Sequence, residues 1–185
     1  MKVVSVNIGE RKKVQWKNKE YETGIFKYPV ETSIFLDTED VRGDNVVNRI
    51  HHGGVLQAAY AYGEQHYAYW KKLYPEQDWN YGMFGENITI SNLNEEEIHV
   101  GSIYQLGKSK VEITKPRQPC LKLGIRFNNL KIIKQFWNST KSGIYFKILE
   151  TGSVHKSDEL ILLENKPKNM TIAELYTSKR IAKGM

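Results

Sequence analysis

One cysteine in 185 residues takes disulfides out of the folding problem. A chain that cannot cross-link itself must hold its shape by burying a core, and this length suffices for one domain, or one domain with an appendage. Hydrophobic residues at 40% and charged residues at 26% are ordinary for a globular chain. The mean hydropathy of −0.54 and the lack of a long apolar run exclude a membrane-spanning helix. Met1–Gly9 alternates apolar and polar residues around one lysine and reads as a strand, not a secretory leader. With a single thiol, this points to the reducing cytoplasm.

Strand signals dominate. Residues 2–8 alternate, and Lys12–Trp16 and Lys19–Thr23 flank Lys17-Asn18 as a hairpin. A turn follows at Tyr28-Pro29-Val30, then short strands at 33–36 and 39–42. From Val55 to Leu73 the pattern changes: Ala58, Ala59, Tyr62, His66, Tyr69, Trp70 and Leu73 recur at threes and fours, which predicts one long helix ended by Pro75. Further strands are expected at 87–90, 97–100, 103–106, 110–114, 143–150 and 159–164, with a turn at Thr151-Gly152-Ser153 and a short helix over 130–138. Thr171 and Glu174 form a capping box for a last helix to Ala182. The expected fold is mainly β with some α, barrel-like, with one long and a few short helices.

The net charge of +6 favours anionic ligands such as phosphate, nucleotide or an acidic partner. The basic residues are scattered, with no run of the kind a nucleic-acid arm carries, so no specific nucleic-acid binding is expected.

Three constellations carry chemistry. In Lys115-Pro116-Arg117-Gln118-Pro119-Cys120-Leu121-Lys122-Leu123 two prolines stiffen the approach to the thiol, and Arg117 and Lys122 place positive charge near it. Such surroundings favour a thiolate, which attacks electrophiles or binds a soft metal; a free cysteine is equally at home as core packing. His51-His52-Gly53-Gly54 precedes the expected helix, where glycines let the backbone approach a ligand and helix N–H groups attract anions. Its bland reading is a tight loop. In Gly82-Met83-Phe84-Gly85-Glu86-Asn87, the carboxylate and amide could read a polar ligand, although a turn leading into a strand with Phe84 in the core explains it more simply.

Taken together, these segments resemble a MOSC domain, the module named after the C-terminal part of molybdenum cofactor sulfurases, and are most similar to the bacterial 6-N-hydroxylaminopurine resistance proteins. Thr23–Val30, His52-Gly53-Gly54 with the following Tyr60, Tyr62, His66 and Trp70, Phe84–Thr89 and Pro116–Leu123 carry the likeness in order, and Ser157-Asp158 resembles the family's Gly-Asp turn with serine in place of glycine. The resemblance spans residues 1–165, leaving 166–185 as a C-terminal helical appendage.

The resemblance implies a strand-rich barrel and a cysteine, here Cys120, that ligates molybdenum or carries sulfur. It implies the molybdenum cofactor, a molybdopterin with a phosphate, and reduction of N-hydroxylated bases or related N-oxygenated compounds with electrons from a separate donor protein; a homodimer is left open. Cys120, His52 and Arg117 are then the catalytic candidates, and Lys27, His52, Gly53, Gly54, Asn87, Arg117 and Cys120 the cofactor-binding ones, with Cys120 as the metal ligand. Of the two histidines, His52 aligns with the family motif and would deliver a proton. The alternative is a cofactor or sulfur carrier using the same thiol. A hydrolase built on Cys120 and His52 lacks an evident orienting carboxylate.

Overall fold

Val3 and Val6 begin the first element, β1 (Val3–Gly9), with their side chains in the core. The computed structural model describes residues 1–45 and 53–184. β2 (Lys12–Trp16) and β3 (Lys19–Thr23) form the expected hairpin, closed by Lys17 and Asn18 at φ 49° and 60°. That left-handed pair matches the twist of the strands it joins. Lys27–Pro29, expected as a turn, is a short strand, β4, antiparallel to β1.

β5 (Ile34–Leu36) follows, but 39–42 forms only a bridge between Val41 and Leu36. The region expected as one long helix divides in two. A three-residue 3-10 turn, Val55–Gln57, leads into β6 (Ala59–Gly63), and only His66–Leu73 is helix, α1. Every residue of β6 is buried. Ala59 and Ala61 face an aliphatic core while Tyr60 and Tyr62 face an aromatic one. A strand buried on both faces shows no polar alternation, so its apolar positions can imitate a helical stripe.

β7 (Ile88–Ile90), β8 (Ile103–Leu106), β9 (Ser109–Pro116), β10 (Ile144–Glu150) and β12 (Leu160–Glu164) lie where strands were expected. The segment 97–100 contributes only a His99–Thr171 bridge, and the expected turn at 151–153 overlaps a strand, β11 (Gly152–Val154). Among the described residues the main sheet runs β12-β8-β9-β10-β6-β7-β1-β4 and stays open between edge strands β12 and β4. The fold is thus mixed and strand-rich as expected, but the sheet does not close into a barrel.

α2 (Leu121–Arg126) was not foreseen, α3 (Lys131–Asn138) was, and α4 (Ile172–Ala182) carries both bonds of its capping box. α4 lies on the body: Ile172 belongs to the aliphatic core, and Tyr176 stacks on Trp137 at 5.0 Å. No helix among the described residues is long and apolar enough to cross a membrane.

The two cores divide the labour. The aliphatic one joins Val3, Leu36, Ile88, Val111, Phe146 and Val154 across the sheet; the aromatic one packs α1, α2 and α3 onto Tyr60, Tyr62 and Phe84. The end of β9 and the start of α2, which carry Arg117 and Cys120, sit at the edge of the aromatic core.

Candidate functional site

Pro116 is the last residue of β9 and pairs with Ile144 of β10. The chain leaves the sheet there because the next three positions include a second proline, Pro119, and α2 starts directly after Cys120. Cys120 itself is extended, at φ −136° and ψ 177°, and its carbonyl accepts the Leu123 N–H at 3.0 Å. Its thiol is neither sealed in the core nor fully exposed.

Arg117 is only 6% exposed. Its guanidinium lies over the Tyr60 ring, 4.9 Å from the centroid, a cation–π contact out of bulk water. Burial works against its charge, but Tyr60, Tyr145, Cys120 and Glu86 together outweigh that and hold its pKa above the ordinary guanidinium value. Cys120 is thus among the groups whose charge favours the guanidinium. The Tyr145 ring lies tilted against Tyr60, with centroids 5.1 Å apart.

Lys27 is also buried, 5% exposed, and its ammonium pairs with Asp44. Burial lowers its pKa, opposed mainly by Asp44, while Arg117 adds repulsion. Asp44 is the centre of this network: Oδ1 accepts the Gly9 N–H at 2.9 Å, and Oδ2 accepts from Lys27 and from Asn87 Nδ2, the latter at 2.9 Å. Asn87 also accepts the Tyr60 N–H at 3.3 Å on Oδ1. Its amide is thus engaged at both ends by protein groups. With Lys27 matched by Asp44, Arg117 is the buried cation of this region without a carboxylate at ion-pair distance among the described residues.

Glu86 is fully buried and accepts from the Gly82 N–H at 2.9 Å, the Phe84 N–H at 3.1 Å, the Thr89 hydroxyl at 3.1 Å and the Tyr67 hydroxyl. Burial outweighs these donors and raises its pKa. The simpler reading of this segment holds: Glu86 ties a turn, and Phe84 is core. Gly85, at φ 74°, is the part of the turn nearest the site. A Cβ there would come within 2.9 Å of Ile25 Cγ1 and 3.5 Å of an Arg117 Nη.

Gly53 and Gly54 have the positive φ expected of them, 102° and 83°. They lead into a three-residue turn rather than a helix, so attraction of an anion by a helix start does not apply there. Open space surrounds the position of a Gly54 Cβ. His51 and His52 lie outside the described residues.

Asp44 escaped the sequence reading, and Tyr60 entered it only as part of the family likeness, without a role at the site. Asp44 gave no local signal, because its partners Lys27 and Asn87 are 17 and 43 residues away. Tyr60 was placed on a helix; recognising a strand would have set it opposite Tyr145. Among the described residues, no group of three or more histidines, cysteines or carboxylates could hold a metal ion alone. What the site offers is one thiol and a buried cation, which fit a metal already held by its own organic ligand rather than a free ion.

Residues 48–161 match the MOSC domain family. The Bacillus subtilis (strain 168) protein YflK is 32% identical over 170 residues, which cover 92% of this chain and 76% of YflK. A protein of Gibberella moniliformis named a reductase is 32% identical over 148 residues, 78% of this chain but 26% of the reductase, so the likeness reaches about a quarter of that protein. The crystal structure of YiiM from Geobacillus stearothermophilus superposes with a TM-score of 0.80 at 28% identity, covering 100% of this chain and 86% of YiiM. With more than half of its length matched by the family model and a relative 32% identical over 92% of its length, this chain belongs to the MOSC domain family.

Proposed function

We propose that this chain binds the molybdenum cofactor at Cys120 and reduces N-hydroxylated bases or related N-oxygenated compounds. The observation that carries the reading is the pairing of a partly exposed single thiol with a buried guanidinium, Arg117, that lacks a matching carboxylate at ion-pair distance among the described residues. Membership of a family associated with the molybdenum cofactor, and a relative named a reductase, support it.

The residues present fit the group. Cys120 would ligate the metal as a thiolate, a soft donor suited to a centre already bound by sulfur. Arg117 favours that thiolate and offers a bidentate fork to a phosphate or oxo group. Gly85 packs closely on Ile25, where a Cβ would fall 2.9 Å from Cγ1. The Lys27–Asp44–Asn87 network holds β1, β4 and the start of β7 in register behind the site, and Lys27 remains a candidate phosphate partner. Gly53 and Gly54 offer backbone to a pterin edge, and His52 is the candidate proton donor.

The bound cofactor supplies two-electron redox chemistry. The net reaction consumes two electrons and two protons, breaks the N–O bond of R–NHOH, and yields R–NH2 and water. The electrons come from a separate donor protein. Cofactor-loaded protein with an artificial reductant should convert 6-hydroxylaminopurine to adenine. A loaded, reducible protein that turns over no N-hydroxylated compound contradicts the reading.

A carrier role is favoured by the exposure of Cys120, which would present a persulfide to a partner. Intact-mass measurement of native protein with one added sulfur atom on Cys120, and no pterin, would support that reading instead.

A further inference from the structure

The Arg117 guanidinium lies over the Tyr60 ring, and that ring is tied to a second buried pair, Glu95 and His66, whose imidazole packs edge-on against Tyr62 on the same face of β6. Glu95, in the loop after β7, is 3% exposed. His66 Nε2 lies 3.0 and 2.9 Å from its two oxygens, and the Gly143 N–H donates to Oε1 at 2.9 Å. Gly143, at φ 65°, sits flush on β6: a Cβ there would fall 2.4 Å from the Ala61 carbonyl and 2.8 Å from the Tyr60 ring. One residue earlier, the Ser142 carbonyl accepts the Tyr60 hydroxyl at 2.8 Å. The same Tyr60 ring carries the Arg117 guanidinium at 4.9 Å.

We propose that Glu95, oriented by His66, is a positioning residue for Arg117: it fixes the Ser142–Gly143 turn, the turn fixes the Tyr60 hydroxyl, and the Tyr60 ring fixes the guanidinium beside Cys120. Each link is a hydrogen bond or a ring contact between buried groups. Two further features suit Glu95 to the task. Its backbone carbonyl accepts the Ala173 N–H at 2.9 Å, which anchors it to α4. Its carboxylate is fully committed to His66 and Gly143, with a polar cleft of about 380 Å³, lined by Gln65, Asn94, Glu96 and Lys141, on its outer side. The proposal concerns the same site as the proposed function but does not need the cofactor.

The single cysteine gives a direct test. The full chain is purified from a host that makes no pterin cofactor, and Cys120 is alkylated at one fixed pH with iodoacetate, an anion, and with iodoacetamide, its neutral analogue. The ratio of the two rates reads the positive charge at the thiol, while accessibility and thiolate fraction cancel. Arg117→Ala should lower the ratio about threefold or more, the effect of one nearby unit charge on an anion even in a water-like medium.

Glu95→Ala and Tyr60→Phe should lower the ratio towards the Arg117→Ala value. Glu95→Gln, which keeps an acceptor for Gly143, should recover most of it. A core control, Val111→Ala, should reduce thermal stability without moving the ratio. If Glu95→Ala does not fold, Tyr60→Phe and His66→Asn test the same chain at other links. An unchanged ratio in the folded Tyr60→Phe and Glu95→Ala variants, or in Arg117→Ala itself, overturns the proposal. Cofactor content and turnover play no part in this readout, so it can fail while the proposed function stands.

Discussion

Lys27 and Asp44 form an ion pair whose side chains are only 7% and 2% exposed. Removing one member of such a pair leaves a buried charge without a partner, at a cost of about 3–5 kcal/mol, whereas replacing both can be nearly neutral. Lys27→Met and Asp44→Asn are each expected to lower unfolding free energy by about that amount. The double variant should lose less than the sum of the two. Chemical denaturation of the four proteins gives the coupling, and additive losses would show that the pair is not the unit described.

Glu86 predicts a pH effect with a definite sign. Burial raises its folded-state pKa above the ordinary 4.5, so between the two values the folded protein holds a proton that the unfolded chain has released. Its contribution is fully present below 4.5 and falls as pH rises through the folded value. The stability difference between wild type and Glu86→Gln, followed by denaturation from acid to neutral pH, should therefore shift against wild type as pH rises. A difference that moves in favour of wild type would contradict this.

Gly85→Ala combines a strained φ of 74° with a Cβ 2.9 Å from Ile25 Cγ1. The backbone strain alone is on the order of 1–3 kcal/mol. Thermal unfolding should register that loss, and the approach to Arg117 should lower the iodoacetate preference at Cys120. A variant as stable as wild type would mean that the turn adapts freely.

The parts of this fold that were legible in sequence rest on short-range chemistry. Lys17-Asn18 closes its hairpin, and Thr171 and Glu174 cap α4, because the relevant bonds span three residues or fewer. The Cys120 segment was legible for the same reason, since its prolines and Arg117 are neighbours of the thiol. β6 was misread because its two faces meet different cores, which erases the alternation that marks a strand. α2 was missed because six residues after a proline-rich turn show no full apolar period. Asp44, Tyr60 and Glu95 act through partners brought together only by the sheet order, and no local pattern announces them.

Arg117→Ala should weaken cofactor retention more than it harms the fold. The guanidinium lies over the Tyr60 ring and has no ion-pair partner among the described residues, so little buried charge is left stranded there when it goes. Binding of the cofactor measured at several salt concentrations should show a lower affinity and a shallower salt dependence than wild type. Equal salt slopes would place the phosphate elsewhere.

The most direct measurement is the molybdenum and pterin content of protein purified from a host that makes the cofactor, for wild type and Cys120→Ser. The substitution is close to isosteric, so both proteins should fold with similar stability, while oxygen poorly replaces a soft sulfur ligand. The expected result is near-stoichiometric molybdenum with pterin in wild type and its loss in the folded serine variant. Wild type devoid of both, or a serine variant that retains both in full, would contradict cofactor binding through Cys120.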